Sequence, residues 1–147
     1  MYKRPGGLTT YNQVANMETD PIQQLVMLYN GAIKFLRMAA ADIEAKDFAA
    51  KAEHTGRAID IIQYLQNILD FERGEDVAPV LDALYSSVTA LILKASLRLD
   101  AALMRRAADL LVPVADAWAT NAKANAAPSH AAVSRPLPAP APLSTRA

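Results

Sequence analysis

The chain lacks cysteine altogether, has only five glycines in 147 residues, and balances fifteen acidic residues against fifteen basic ones. Without cysteine there is neither a disulfide framework nor thiolate chemistry, which fits a reducing compartment. Without net positive charge there is no general field for nucleic acid or anionic lipid. No apolar run approaches the roughly 18 residues of a membrane span, and the N-terminal residues lack the apolar core of a secretory signal. We therefore expect a soluble cytoplasmic protein without nucleic-acid binding or stable membrane insertion.

Patterns for catalysis and metal binding are also missing. The chain has only two histidines, His54 and His130, so few residues could act as the base of a Ser–His–Asp triad. The chain has no Glu-x-x-His pair of the kind that holds metals in helical bundles. Gly6-Gly7 does not stand between a strand and a helix, as a phosphate-binding loop requires. We expect no enzyme, no cofactor and no metal site.

One catalytic alternative rests on His54. Histidine phosphotransfer domains are four-helix bundles with an exposed histidine on the second helix and a basic residue three positions on, which Arg57 matches. Ala58 stands where those domains have glycine, and bulky isoleucines replace the small residues expected beyond it. The simpler interpretation is a solvent-facing histidine beside Glu53 and Arg57.

Hydrophobic periodicity predicts four helices separated by short polar corners. The predicted helices cover residues 21–45, 48–71, 77–99 and 101 to beyond Trp118. Four aspartates have the short acceptor side chains that favour helix N-caps: Asp20, Asp47, Asp76 and Asp100. Pro21 occupies a first helical position, where proline is tolerated, but Pro113 lies in a helix interior and predicts a kink.

Helices of this length joined by short connections pack antiparallel. We therefore predict an all-α fold, an antiparallel up-down four-helix bundle in residues 20–125. Residues 1–19 are predicted to form a flexible apolar arm. Residues 126–147 contain five of the nine prolines, and we expect a disordered Pro/Ala-rich tail there.

The middle helices contain more apolar residues than the roughly three positions in seven that one bundle seam needs. Residues 59–69 contain seven of them: Ile59, Ile61, Ile62, Tyr64, Leu65, Ile68 and Leu69. The third helix has a similar excess: Leu81, Leu84, Tyr85, Val88, Leu91, Ile92 and Leu93. Such an excess is typical of a surface that binds a partner's amphipathic helix. It also occurs in a helix that contacts neighbours on several sides.

Four motifs occur in order along these helices. They are Asp-Pro with Met-Leu-Tyr-x-Gly in Asp20–Gly31, Ala-x-x-Ile-Ile-x-x-Leu in Ala58–Leu65, Leu84-Tyr85, and Ala117-Trp118. From Tyr11 to Trp118 the chain resembles the FliS family, the export chaperones of flagellin in bacterial flagellar assembly. The chain departs from the family pattern at Ser86-Ser87, where the family often has tyrosines, and at Pro113.

The resemblance implies an antiparallel bundle that is not an enzyme. It implies binding of the C-terminal segment of flagellin in an apolar groove, a block on premature polymerisation, and delivery to the flagellar export gate. In such proteins the N-terminal arm, with the tyrosine aligned to Tyr11, can cover part of the groove. The expected partner-binding residues are Tyr11, Leu28, Tyr29, Ile61, Ile62, Tyr64, Leu65, Ile68, Leu84 and Tyr85. A homodimer, or a self-associating structural bundle, is the further alternative.

Overall fold

The structure is a computed structural model that describes residues 20–73 and 76–124. Within this part of the chain there are four α-helices and no β-strand. The helices are α1 (Pro21–Glu44), α2 (Phe48–Asn67), α3 (Val77–Arg98) and α4 (Ala101–Ala124). The all-α bundle is confirmed, whereas the predicted arm and tail lie outside the described residues.

The four helices pack in a ring in which each helix contacts the two beside it. Contacts between opposite ends of neighbouring helices show the antiparallel arrangement. Arg105 at the start of α4 makes a two-pronged ion pair with Glu44 at the end of α1, at 2.7 and 2.8 Å. Gln66 near the end of α2 donates to Asp82 near the start of α3, at 2.8 Å. Packing around α1 is dense, whereas α3 packs more sparsely on both of its neighbours.

The core consists of one apolar face from each helix, because residues three and four apart lie on the same side of a helix. Its largest fully buried side chains are Tyr29, Leu36, Ile62, Leu65, Val88, Ile92, Met104 and Leu111. Small residues between them, among them Ala32, Ala39 and Ala107, are also fully buried. Their lack of bulk lets α1 and α4 approach closely.

Three of the four predicted caps make the expected hydrogen bond. The Asp20 carboxylate accepts from the Ile22 amide at 3.1 Å, Asp47 from Ala50 at 3.2 Å, and Asp100 from Leu103 at 3.0 Å. Asp76 stands at the N-cap of α3 without a side-chain capping bond. The N-terminus of α3 is therefore less firmly held than the N-termini of the other three helices.

These caps offer a matched pair of substitutions. Asp47→Ala should lower the free energy of unfolding by about 1 kcal/mol, because it leaves the Ala50 amide without its partner. Asp76→Ala should change the free energy of unfolding by much less, since no capping bond is lost. Urea unfolding followed by circular dichroism measures both. Equal losses from the two substitutions would contradict the assignment of the caps.

Two helix ends differ from the prediction or leave it open. Helix α2 ends at Asn67 rather than near Phe71, because the Asp70 carboxylate accepts from the amides of Glu72 and Arg73 and forms a turn. Helix α4 continues past Trp118, as predicted, with Pro113 in its interior. The kink at Pro113 stays a prediction.

Candidate partner-binding surface

The residues predicted to bind a partner divide into three groups in the structure. Five are buried in the bundle: Tyr29, Ile62, Tyr64, Leu65 and Tyr85. Four are half-buried: Leu28, Ile61, Ile68 and Leu84. Tyr11 lies outside the described residues. The buried five shape the bundle from within, so their contact with a partner stays a prediction.

Three of the half-buried residues lie along the junction of α1 and α2. Leu28 and Gly31 are one turn apart on α1, Ile61 lies on α2, and Ile68 is the residue directly after the end of α2. Ile61 extends over Gly31, where a Cβ atom would lie 3.5 Å from its Cδ1 atom. Together they form an apolar strip that we call the α1–α2 seam.

The buried tyrosines Tyr29 and Tyr85 join the diagonally opposed helices α1 and α3. Their hydroxyls share a hydrogen bond, and their ring centroids lie 6.2 Å apart. Burial raises the pKa of Tyr29 to about 12, against the opposing effect of hydrogen bonds with Tyr85 and Trp118. Burial, and then the neighbouring Tyr29, raise the pKa of Tyr85 as well. The pair is a neutral polar contact inside an apolar core, which favours one register of α1 against α3.

His54 has a structural environment that its neighbours in sequence did not indicate. Its Nδ1 atom lies 2.6 Å from an Asp42 carboxylate oxygen on α1, and its ring stacks on Phe35 at 6.0 Å between centroids. Arg57 lies over the same Phe35 ring and bonds to Glu53. The expectation of a solvent-facing histidine is therefore wrong, since its side chain is only 21% exposed. His54 fastens α2 to α1.

Helix α3 contains four of the large apolar side chains that are exposed among the described residues: Val77, Val80, Leu93 and Leu97. Val80, Leu93 and Leu97 are 66, 55 and 85% exposed, and the exposed Ala83 and Ala90 lie between them. These five residues lie on the side of α3 opposite its buried residues, which are Ala78, Leu81, Tyr85, Val88, Ile92 and Ala95. We call the five residues the α3 ridge. The exposed Ser86 interrupts the ridge between Ala83 and Ala90. Several large apolar side chains exposed on one side of a helix are typical of an interaction surface.

The α3 ridge was missing from the predicted site, which on α3 contained only Leu84 and Tyr85. Leu84 is only half-buried, whereas Tyr85 enters the core together with Ile92. A helical wheel centred on Tyr85 and Ile92 would have placed Val80 and Leu97 outside. The excess of apolar residues in this helix was the signal that pointed to such a face.

Within 20–73 and 76–124 no group of three or more acidic, histidine or cysteine side chains could hold a metal ion. By length and composition alone, α3 could cross a membrane. The length and composition of one helix are weak evidence for a membrane span, because the core helix of a soluble protein meets the same two criteria.

The family model and the relatives that this chain matches all carry the name FliS. A family model described as "Flagellar protein FliS" matches residues 6–125, which include all four helices. The chain is 37% identical over 117 residues to the flagellar secretion chaperone FliS of Salmonella typhimurium strain LT2, covering 76% of this chain and 87% of that relative. It is 30% identical over 110 residues to flagellar secretion chaperone FliS of Bacillus subtilis strain 168, with coverages of 75% and 81%. Flagellar secretion chaperone FliSB of Pseudomonas aeruginosa is 31% identical over 101 residues, with coverages of 69% and 80%.

Proposed function

The chain belongs to the FliS family, a family of flagellar export chaperones and not an enzyme class, and from this premise we propose that flagellin is its cargo. It binds the C-terminal segment of flagellin in the cytoplasm, blocks premature polymerisation and assists delivery to the flagellar export gate. The cargo segment is proposed to cover apolar surface that the bundle itself leaves open.

The observation that supports this proposal most strongly is the exposure of the α3 ridge. In a helix that packs only within its own bundle, the face toward water is typically polar. In α3 that face instead contains the apolar residues Val80, Leu93 and Leu97, each more than half exposed to water. An amphipathic helix laid along α3 would remove these side chains from water. The α1–α2 seam, with Leu28 and Ile61, offers a second apolar strip for the same wrapping segment.

The energetics allow binding that is specific and still reversible. Apolar burial contributes about 25 cal/mol for each Å² removed from water. Ordering a disordered segment as it binds costs about 2–5 kcal/mol of the gross interaction energy. The net affinity is therefore moderate for the area covered, which suits a chaperone that must release its cargo. While the segment is bound, its apolar faces cannot pack against other flagellin subunits.

Mixing the protein with a synthetic peptide of the flagellin C-terminal segment tests the cargo directly. We expect more helix in the circular dichroism spectrum of the mixture than in the sum of the separate spectra, because the peptide folds as it binds. Calorimetric titration should show saturable binding. A peptide of identical composition and scrambled order, which has no apolar stripe, is the control. An additive spectrum without heat of binding would contradict the proposed cargo.

A further inference from the structure

The α3 ridge has opposite charges at its two ends. Near the N-terminus of α3 lie Glu72 and Asp76, both exposed, and the half-buried Asp82. The region also contains one basic residue, Arg73. Acidic side chains thus predominate at this end of the ridge.

Basic side chains predominate at the other end. Lys94 and Arg98 are exposed, and neither forms an ion pair with another described residue. On α2, Lys51 extends toward the same end of α3 and donates to the Ser96 hydroxyl at 3.1 Å. The carboxylates nearby are Asp100 and Asp47, which cap α4 and α2, and the three basic side chains outnumber them. The apolar ridge therefore runs from an acidic end to a basic end.

From this arrangement we infer that the α3 ridge binds an amphipathic helix that lies antiparallel to α3, with its acidic residues toward its own N-terminus and its basic residues toward its C-terminus. This inference rests on the proposed function and adds to it the direction and charge pattern of the bound cargo helix. The apolar stripe of the helix covers Val80, Leu93 and Leu97. Its acidic N-terminal turns lie over Lys94 and Arg98.

Two physical effects favour this direction over the reverse. Acidic residues near a helix N-terminus and basic residues near its C-terminus stabilise the helix itself through the macrodipole. A helix of that pattern meets complementary charge along the whole ridge only when it runs antiparallel to α3. The antiparallel direction also places the positive end of one helix dipole beside the negative end of the other. A parallel helix of the same pattern would set acid against acid and base against base.

The absence of cysteine makes the direction measurable with single spin labels. Asn67→Cys and Ala102→Cys place labels at exposed positions beside opposite ends of α3 and outside the ridge. The flagellin peptide carries a second label at its N-terminus, and pulsed electron resonance measures the distance in the complex. Because 22 helical residues span about 33 Å, the two ends are well separated. We expect the peptide label to lie closer to Ala102→Cys than to Asn67→Cys.

The outcomes separate the direction from the cargo proposal. A peptide label closer to Asn67→Cys, or equally distant from both, overturns the antiparallel helix while leaving the cargo in place. If no flagellin peptide binds at all, the proposed function fails first. A distance between labels in the protein alone, which disappears on dilution, would show that a second copy covers the ridge and would also overturn the inference.

The charges themselves are tested by reversing one end. Lys94→Glu with Arg98→Glu should weaken peptide binding by roughly three- to tenfold at low salt, as for one or two exposed ion pairs. The difference should shrink as salt is raised. A control variant, Arg106→Glu, reverses an exposed charge on α4 outside this set. Unchanged affinity in the double variant, or an equal loss in the control, would remove the electrostatic basis of the direction.

Discussion

Replacing Leu97 with lysine should weaken binding of the flagellin segment by tenfold or more while leaving the stability of the bundle almost unchanged. Leu97 is 85% exposed, so it contributes little to the folded monomer. Surface substitutions of this kind usually change the free energy of unfolding by no more than about 0.5 kcal/mol. In the proposed complex the leucine is buried, which contributes about 1.5–3 kcal/mol, and a buried lysine adds a desolvation penalty.

Calorimetric titration and thermal unfolding of the same preparation measure the two quantities. Ala49→Lys is the matched control, because it adds the same charge at an exposed position of α2 away from the ridge. Val80→Lys should behave like Leu97→Lys, since Val80 is 66% exposed on the same face. If Leu97→Lys destabilised the bundle by several kcal/mol, the residue would belong to the core. If binding were unaffected, the ridge would not be the cargo surface.

The second large effect is an alkaline loss of stability caused by the Tyr29–Tyr85 pair. In the unfolded chain a tyrosine ionises near pH 10. Tyr29 in the bundle keeps its proton to about pH 12, because burial raises its pKa. Below pH 10 both states are neutral and the contribution is complete. Between pH 10 and 12 the unfolded state loses protons first, so Tyr29 alone should cost about 2 kcal/mol by pH 12. Tyr85, whose pKa is also raised, adds to the loss.

Urea unfolding at pH values from 8 to 12 gives the free energy of unfolding across this range. The control is the double variant Tyr29→Phe with Tyr85→Phe, which removes both hydroxyls and leaves neither orphaned by the loss of the other. Its stability should fall less steeply above pH 10 than that of the unchanged protein. Parallel curves for the two proteins would show that other groups control the alkaline transition.

Local signals were sufficient for most of the helical framework. Helix α1 begins at Pro21 after the Asp20 cap, and α2 begins at Phe48 after the Asp47 cap, as predicted. These signals are reliable because a cap satisfies backbone amides within three residues of itself. The antiparallel arrangement followed from helix lengths and short connections, and no long-range information was needed.

The features that the sequence did not reveal depend on contacts between helices. Asp42 and His54 are twelve positions apart, and only the packing of α1 on α2 brings them together. Which side of α3 faces the core depends on Tyr85, whose hydroxyl shares a hydrogen bond with that of Tyr29 across the bundle. The number of apolar residues in α3 could not separate its buried stripe from the exposed ridge, because both sides of the helix contain large apolar side chains.

Methyl resonances of Val80, Leu93 and Leu97 report directly on whether another polypeptide covers the exposed apolar face of α3. Adding the flagellin C-terminal segment should shift these methyl signals and leave those of the fully buried Leu111 and Val88 close to their original positions. Saturable binding with unchanged ridge methyl signals, or no binding at all, would contradict a cargo-binding surface on α3.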